Sequence, residues 1–409
     1  MMNTGELIPH LFRTEYRKII SVLCKHFGFP HIEIAEDIAS DTFLTASQNW
    51  GLNGIPPNPT AWLYNVAKNK AKNQLHRSSI YKNKIEPEIK SQSSNSNDED
   101  IDLSPQNIND SQLQMMFAIC HPSISAEART GLALRILCGF GIQEIADAFL
   151  SNKETINKRL SRAKEKLREE NISIELPAAA DTDERLASVL TTIYLLFNEG
   201  YYSVSQNKVV RKELCVEAMR LCTMLVENAG TNKPEVNALL SLMCFHASRF
   251  DARLNSDGEL ILYEDQDISR WNTDLVSKGG YFLHCAASGN KLSKYHLEAG
   301  IAFWNTKKED SREKWENILQ LYNHLLQIEY SPIAALNRTY ALSKVKSKHE
   351  AIVEAERLQL TGNLFYFALL GELNTGVDNN VAKQCYEKAI ELTKTDAAKK
   401  AILQKIEKL

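Results

Sequence analysis

Between Ile156 and Arg168 the chain carries Lys158, Arg159, Arg162, Lys164, Lys166 and Arg168 against one acid, Glu165. Clustered cations neutralise phosphates, the main source of affinity for DNA. Lys153, Glu154, Asn157, Lys158, Ser161 and Arg162 carry side chains able to bond base edges in a groove. A second polar row, Asn65, Lys68, Asn69, Lys72, Asn73 and His76 with Arg77 at its end, runs through a stretch without any acid from Trp62 to Ile85. There Asn and His can meet bases while Lys holds phosphates. A third set has the opposite sign: Glu33, Asp37 and Asp41, at i, i+4 and i+8, make an acidic edge. All three point to recognition of charged partners rather than to bond-making.

Each row needs a helix to hold it. Ile156, Leu160, Ala163 and Leu167 fall on one stripe, which predicts a helix opposite the basic face. Ile145, Ala146, Phe149 and Leu150 give a preceding helix its apolar side, and Ser151-Asn152-Lys153-Glu154 supplies turn and cap chemistry between them. Lys164 stands on the basic face with Asn157 and Lys158. A helix, a tight turn and a second helix reading by its amino end is the layout of a DNA-binding helix-turn-helix. Trp62, Leu63, Val66, Ala67 and Ala71 form the inner stripe of the second row's helix; Ala35, Ile38 and Ala39 back the acidic edge. Breaks are expected at Gly28-Phe29-Pro30 and from Gly51 to Pro59.

With 409 residues the chain is long enough for two or three domains, and its net charge of -3 confines any DNA contact to local patches. No apolar run reaches the length of a membrane span and the start lacks an apolar signal core, so a cytoplasmic protein is expected. Eight cysteines without a CxxC pair fit buried thiols. Cys and His neighbour each other at Cys24/His26, Cys120/His121, Cys244/His246 and His284/Cys285, each lacking the second half of a zinc site. No phosphate-binding loop, dinucleotide fingerprint or nucleophile elbow occurs. Neither an enzyme, a metal nor a cofactor is expected.

Residues 79–112 are dominated by Ser, Asn, Asp and Glu and read as an acidic flexible linker. About 32 disordered residues reach roughly 110 Å at about 3.4 Å each. Modules so tethered could touch DNA elements about two turns, or about 70 Å, apart, and two weak sites on one tether reinforce each other. After Pro177 helical periodicity continues to the end, with one hairpin signal at Asn255-Ser256-Asp257-Gly258. NEGYY (Asn198 to Tyr202) reads as a helix end with Gly200 as terminator, and DQDISRW (Asp265 to Trp271) as a salt-bridged cap over a packed Trp271. Near the end Ala382, Tyr386 and Ala389 follow Gly371 with steps like those of a tetratricopeptide second helix.

AEDIASDTF (Ala35 to Phe43), NPTAWLYNVAKNKAKNQLHR (Asn58 to Arg77) and RLSRAKEKLRE (Arg159 to Glu169) together resemble a bacterial sigma factor of the extracytoplasmic-function (ECF) group. CHPSISAEARTGLALRI (Cys120 to Ile136), IYLLFNEGYY (Ile193 to Tyr202), DQDISRW and SPIAALNRTYAL (Ser331 to Leu342) resemble a subgroup with a long tetratricopeptide-like extension. The resemblance implies an all-α chain: sigma region two at 1–78, the linker at 79–112, sigma region four at 113–172 and the extension at 178–409. It implies that Asp37 and Asp41, with Glu33 beside them, face core RNA polymerase. The loop from Gly51 to Asn58 and the face from Lys68 to Arg77 would meet opened minus-ten DNA, and the helix-turn-helix the minus-thirty-five element. Promoter recognition and melting is the expected function, regulated by the extension, which could take a further protein or peptide. The alternative is a stand-alone helix-turn-helix regulator that never joins polymerase.

Overall fold

The computed structural model describes residues 4–85, 101–149, 151–178, 181–201, 211–253, 261, 263–393 and 396–409. Helices joined by turns and loops make up these residues, with no strand among them; the hairpin expected at 255–258 lies outside them, as does Leu150. The chain divides into two compact units, Met1–Leu196 and Phe197–Leu409.

In the first unit α1 (Thr4–Phe27) packs on α2 (Ile32–Asn53), and α2 on α3 (Pro59–Ile85). Gly28, at φ 83°, turns the chain into a short 3-10 segment, and Gly54, at φ 80°, ends α2 with its N–H on the Trp50 carbonyl. Both breaks fall where expected, because only glycine adopts a left-handed backbone without steric cost. Fully buried Tyr16, Ile19, Ile20 and Leu23 of α1 form the core, with Phe12 edge-on to Phe43 at 5.0 Å. Trp62 meets buried Trp50 edge-on at 5.4 Å, which is core packing.

The expected linker is helical at both described ends. α3 runs on to Ile85, and α4 (Pro105–Ile119) begins inside the polar stretch, with Ser104 accepting from the Asn107 amide and Pro105 as its first residue. Ile108 and Leu113 are buried, enough apolar surface to fix the helix although its other face is Asn, Asp and Gln. Beyond it come α5 (Ala126–Leu132), a π-helical segment Ala133–Leu137, α6 (Ile142–Ala148), α7 (Lys153–Glu169) and α8 (Thr182–Tyr201).

The boundary expected at 178 moves to residue 197. Leu186, Val189, Leu190 and Ile193 of α8 are buried, and Arg185 donates to the Phe117 carbonyl at 2.7 Å, while Arg129 donates to Ser188 Oγ at 2.8 Å. The first half of α8 therefore belongs with the first unit. The described part of α8 ends within NEGYY, at Tyr201, with Gly200 its last residue but one. A Cβ added to Gly200 would sit 2.7 Å from Cys215 Sγ and 2.8 Å from the Arg211 carbonyl. Its small size serves a close approach.

The second unit continues with α9 (Lys212–Glu227), α10 (Pro234–Ala247), α11 (Thr273–Ala286), α12 (Lys294–Trp304), α13 (Arg312–Ile328), α14 (Pro332–Val345), α15 (Lys348–Leu358), α16 (Leu364–Asn374), α17 (Asn379–Leu392) and α18 (Asp396–Glu407). From α11 onward each helix packs on the next, and α14 also on α16. α10 is buried almost all round, against α9, α11 and α12. The DQDISRW segment is a local cap: Asp267 accepts from the Ser269 amide at 2.9 Å, and Trp271 is buried. No helix among the described residues is long and apolar enough to cross a membrane.

His246 at the end of α10 stacks obliquely on Tyr201, with ring centroids 4.6 Å apart. Burial holds its imidazole well below the ordinary 6.5, and the charges of Arg249 and Arg253 push the same way. His296 shifts in the same direction, mainly through burial. The folded state disfavours the imidazolium, so the unfolded chain binds the extra proton. Stability is whole above about pH 6.5 and is lost as pH falls below it, by up to about 1.4 kcal/mol per pH unit for one such group. Denaturant unfolding of the second unit should show this loss between pH 7 and 5. A His246→Gln variant should flatten the profile; an unchanged slope would acquit His246.

Candidate nucleic-acid interface

Asn152 begins α7 by accepting from the Thr155 amide at 2.8 Å, which satisfies a donor at the helix start. Ile156, Leu160, Ala163 and Leu167 are buried as the stripe requires, and Leu160 sits over Gly131 of α5, where a Cβ would approach its Cδ2 to 3.0 Å. α6 opens with the Glu144 carboxylate accepting from the Gly141 amide at 2.7 Å and buries Ile145 and Ala146, while Phe149 is half-buried beneath the Arg159 guanidinium. The turn thus holds α7 against α5 and α6.

That packing leaves Lys153, Glu154, Asn157, Lys158, Ser161 and Arg162 all exposed, along the amino-terminal half of α7. Glu154 and Lys158 pair at 2.7 Å, both largely in solvent, so a DNA partner could separate them at little cost. These six side chains form one exposed row on the side of α7 opposite its buried stripe.

The carboxy-terminal half of α7 turns elsewhere. Lys164, expected on the DNA-facing side, is partly buried and bonded to Glu36 of α2. Arg168 Nη2 reaches Glu33 at 2.7 Å. Arg135, carried by the π-helical segment, lies 3.7 Å from the Glu36 carboxylate and donates to Tyr16 Oη at 3.0 Å. Nearby Arg13 of α1 pairs with Glu144 of α6 at 2.7 Å and stacks over Phe140. Gly139, at φ 72°, lets the chain pass so close that a Cβ there would be 3.0 Å from the Arg13 carbonyl.

The acidic edge is consequently divided. Asp37 and Asp41 are exposed, Asp41 with Lys70 of α3 at 3.8 Å. Glu33 is half committed to Arg168. Glu36, which the i, i+4 spacing passed over, faces α7. The signal was available, since Glu33 and Glu36 are three apart and share a helix side, but its partner lies 128 residues away.

On α3, Leu63, Ala67 and Ala71 are buried, and Trp62 and Val66 half-buried. Opposite them Asn65, Asn69, Lys72, Asn73 and His76 are exposed and Lys68 half-exposed. The Arg77 side chain lies outside the described residues. Leu52 in the last turn of α2, 86% exposed, and Ile55 in the loop after it face solvent.

Among the described residues no group of three or more His, Cys, Asp and Glu could hold a metal ion. Of the eight cysteines six are buried and two half-buried, none in a disulfide. Burial pushes the Cys120 thiol up to about 11, an inert thiol beside His121 rather than half of a site.

Residues 11–79 match sigma-70 region 2. Residues 185–287 match a family of unknown function, DUF6596. Uncharacterized protein R00370 of Rhizobium meliloti (strain 1021) is 31% identical over 381 residues, which cover 92% of this chain and 90% of that protein. No solved structure matches the chain.

Proposed function

The chain belongs to one family with the Rhizobium meliloti protein, and its sigma-70 region 2 makes it a sigma factor for transcription initiation; from that premise we propose an ECF type whose α7 reads the minus-thirty-five element. The observation that carries this reading is the exposed row from Lys153 to Arg162 on a helix whose opposite stripe is buried, within the compact unit that holds region two. Contacts from this row position the duplex. The face of α3 from Asn65 to His76 then takes unpaired minus-ten bases, so that opening is stabilised by single-strand contacts. Asp37 and Asp41 meet basic helices of core polymerase, in the cytoplasm where that enzyme works. The helices from α9 to α18 act as a tetratricopeptide-like extension whose stacked pairs offer a surface for a regulatory protein or peptide.

Transcription from genomic fragments by core RNA polymerase with and without the purified chain tests this. The chain should create new start sites. Lys158→Ala/Arg162→Ala should cut their use about tenfold while leaving polymerase binding intact, since each lost base or phosphate contact is worth roughly 1 kcal/mol or more. Binding to duplex DNA without any new start site would make the chain a stand-alone regulator instead.

A further inference from the structure

α9 and α11 both pack on α10, and two adjoining cavities of about 480 Å³ each open along the trough between them. Leu240 and Cys244 of α10, both buried, floor the first, with Met219 and Thr223 of α9 and Leu275 of α11 as walls. Val226 of α9, Asn237 of α10 and Cys285 of α11 line the second. Tyr281 and Phe282, edge-on to each other at 5.2 Å, are shared by both and stand between them.

α9 carries more apolar surface than the fold covers. Leu214, Ala218, Leu221 and Leu225 are buried, yet Val216, Met219, Thr223 and Val226, at i, i+3, i+7 and i+10, make a second row. Val216 is 56% exposed and the other three are half-buried; across the trough Tyr281 is 64% exposed. Single apolar residues on a surface need no explanation, whereas a row facing an aromatic pair marks an interaction surface.

Spacing and charge choose the guest. α11 lines the first cavity from Leu275 to Phe282 and the second from Tyr281 to Ser288, a step of six residues, or about 9 Å along the helix. Apolar side chains two turns apart on a guest helix, about 10 Å, match that step. Lys278 borders the first cavity and Lys233 and His284 the second, and among the described residues no carboxylate lines either. Burial pushes the Cys244 thiol up to about 12 while the Lys278 charge pulls the other way, so this cation is felt at the floor.

Resting on the reading of α9 to α18 as a partner-binding extension, we propose that the trough between α9 and α11 docks an amphipathic, acidic helix of a partner protein. Two of its apolar side chains enter the cavities on either side of Tyr281 and Phe282, and its carboxylates meet Lys278 and Lys233. The guest completes a four-helix arrangement with α9, α10 and α11.

A fluorescein-labelled, alanine-rich synthetic helix of about 18 residues, with leucines at i, i+3, i+7 and i+10 flanked by glutamates, is the probe, titrated with the full-length chain. It should bind, and the same helix with lysines in place of glutamates should bind about tenfold more weakly. Lys278→Glu should weaken the acidic guest about tenfold. Tyr281→Ala should do so as well, as loss of an aromatic anchor does. Because Tyr281 is largely exposed, its loss should leave the thermal transition in place. Equal binding of the two guests, or binding unmoved by both substitutions, would overturn the site. So would a parent dimer on a sizing column that Tyr281→Ala dissociates, since the occupant would then be a second copy. Adding the acidic guest to transcription by core polymerase with the chain separates the two readings. A bound guest that leaves the new start sites unchanged upholds the docking site and removes its regulatory role. No binding, beside normal start sites, removes the site and leaves the sigma reading intact.

Discussion

Replacing Asp37 and Asp41 together by arginine should weaken binding to core RNA polymerase by about 100-fold and leave the thermal transition of the chain in place. Both carboxylates are exposed on α2, one turn apart. Asp41's contact, Lys70 at 3.8 Å, is a surface pair worth little to the fold. Their removal should therefore cost the free protein almost nothing. At an interface the balance reverses, because a charge pair desolvated by a partner, once one member is lost, leaves the other unpaired at a cost of roughly 2–5 kcal/mol. Reversal adds repulsion. Co-elution on a sizing column and a binding titration measure the effect. The Lys158→Ala/Arg162→Ala variant is the matched control, since it alters an equally exposed charged surface assigned to DNA. Retained polymerase binding by Asp37→Arg/Asp41→Arg, with a normal melting profile, would remove the acidic edge from the polymerase contact.

Residues near in sequence were the readable ones. The stripe Ile156, Leu160, Ala163 and Leu167 is buried, and the six side chains opposite it are exposed, because one helix imposes both from its period alone. The same logic gave the inner faces of α2 and α3 and the glycine breaks at Gly28 and Gly54. Composition was a poorer guide. Residues 105–112 read as linker because Asn, Asp and Gln outnumber apolar residues, yet Ser104 and Pro105 start a helix and Ile108 anchors it. A capping pair counted for more than the polar average.

What could not be read is what depends on distant partners. Lys164 and Asn157 share a basic helix face, but the first is turned to α2 and the second to solvent, and only the tertiary contact with Glu36 separates them. Glycine is the sharper case. A terminator and a close-packing glycine look alike in sequence: Gly200, last but one in the described part of α8, packs against Cys215, whereas Gly54 takes a positive φ and ends α2. Which role a glycine plays is decided by the neighbouring helix.

The adjacent pair Gly279 and Gly280 turns that distinction into a sign. Both lie inside α11, where exchanging glycine for alanine ordinarily gains about 0.5–1 kcal/mol by reducing the freedom of the unfolded chain and improving helix propensity. At Gly280 an added Cβ meets nothing within 4 Å, so Gly280→Ala should show that gain. At Gly279 the Cβ would stand 2.6 Å from Cε1 and 2.7 Å from Cδ1 of the Phe245 ring. That ring is buried at 1% exposure, and Ser241 Oγ donates to the Gly279 carbonyl at 2.7 Å, so neither the ring nor the backbone can readily retreat. Overpacking of a closed core costs about 1–3 kcal/mol, more than the propensity gain returns. Gly279→Ala should thus lose about 2 kcal/mol, and the two neighbouring substitutions should differ by about 3 kcal/mol in denaturant unfolding. Pairing Gly279→Ala with Phe245→Leu should recover part of the loss, since the obstructing ring edge is gone. Two gains of equal size would mean that α10 and α11 do not approach at Gly279; two losses would mean that Gly280 is packed as well.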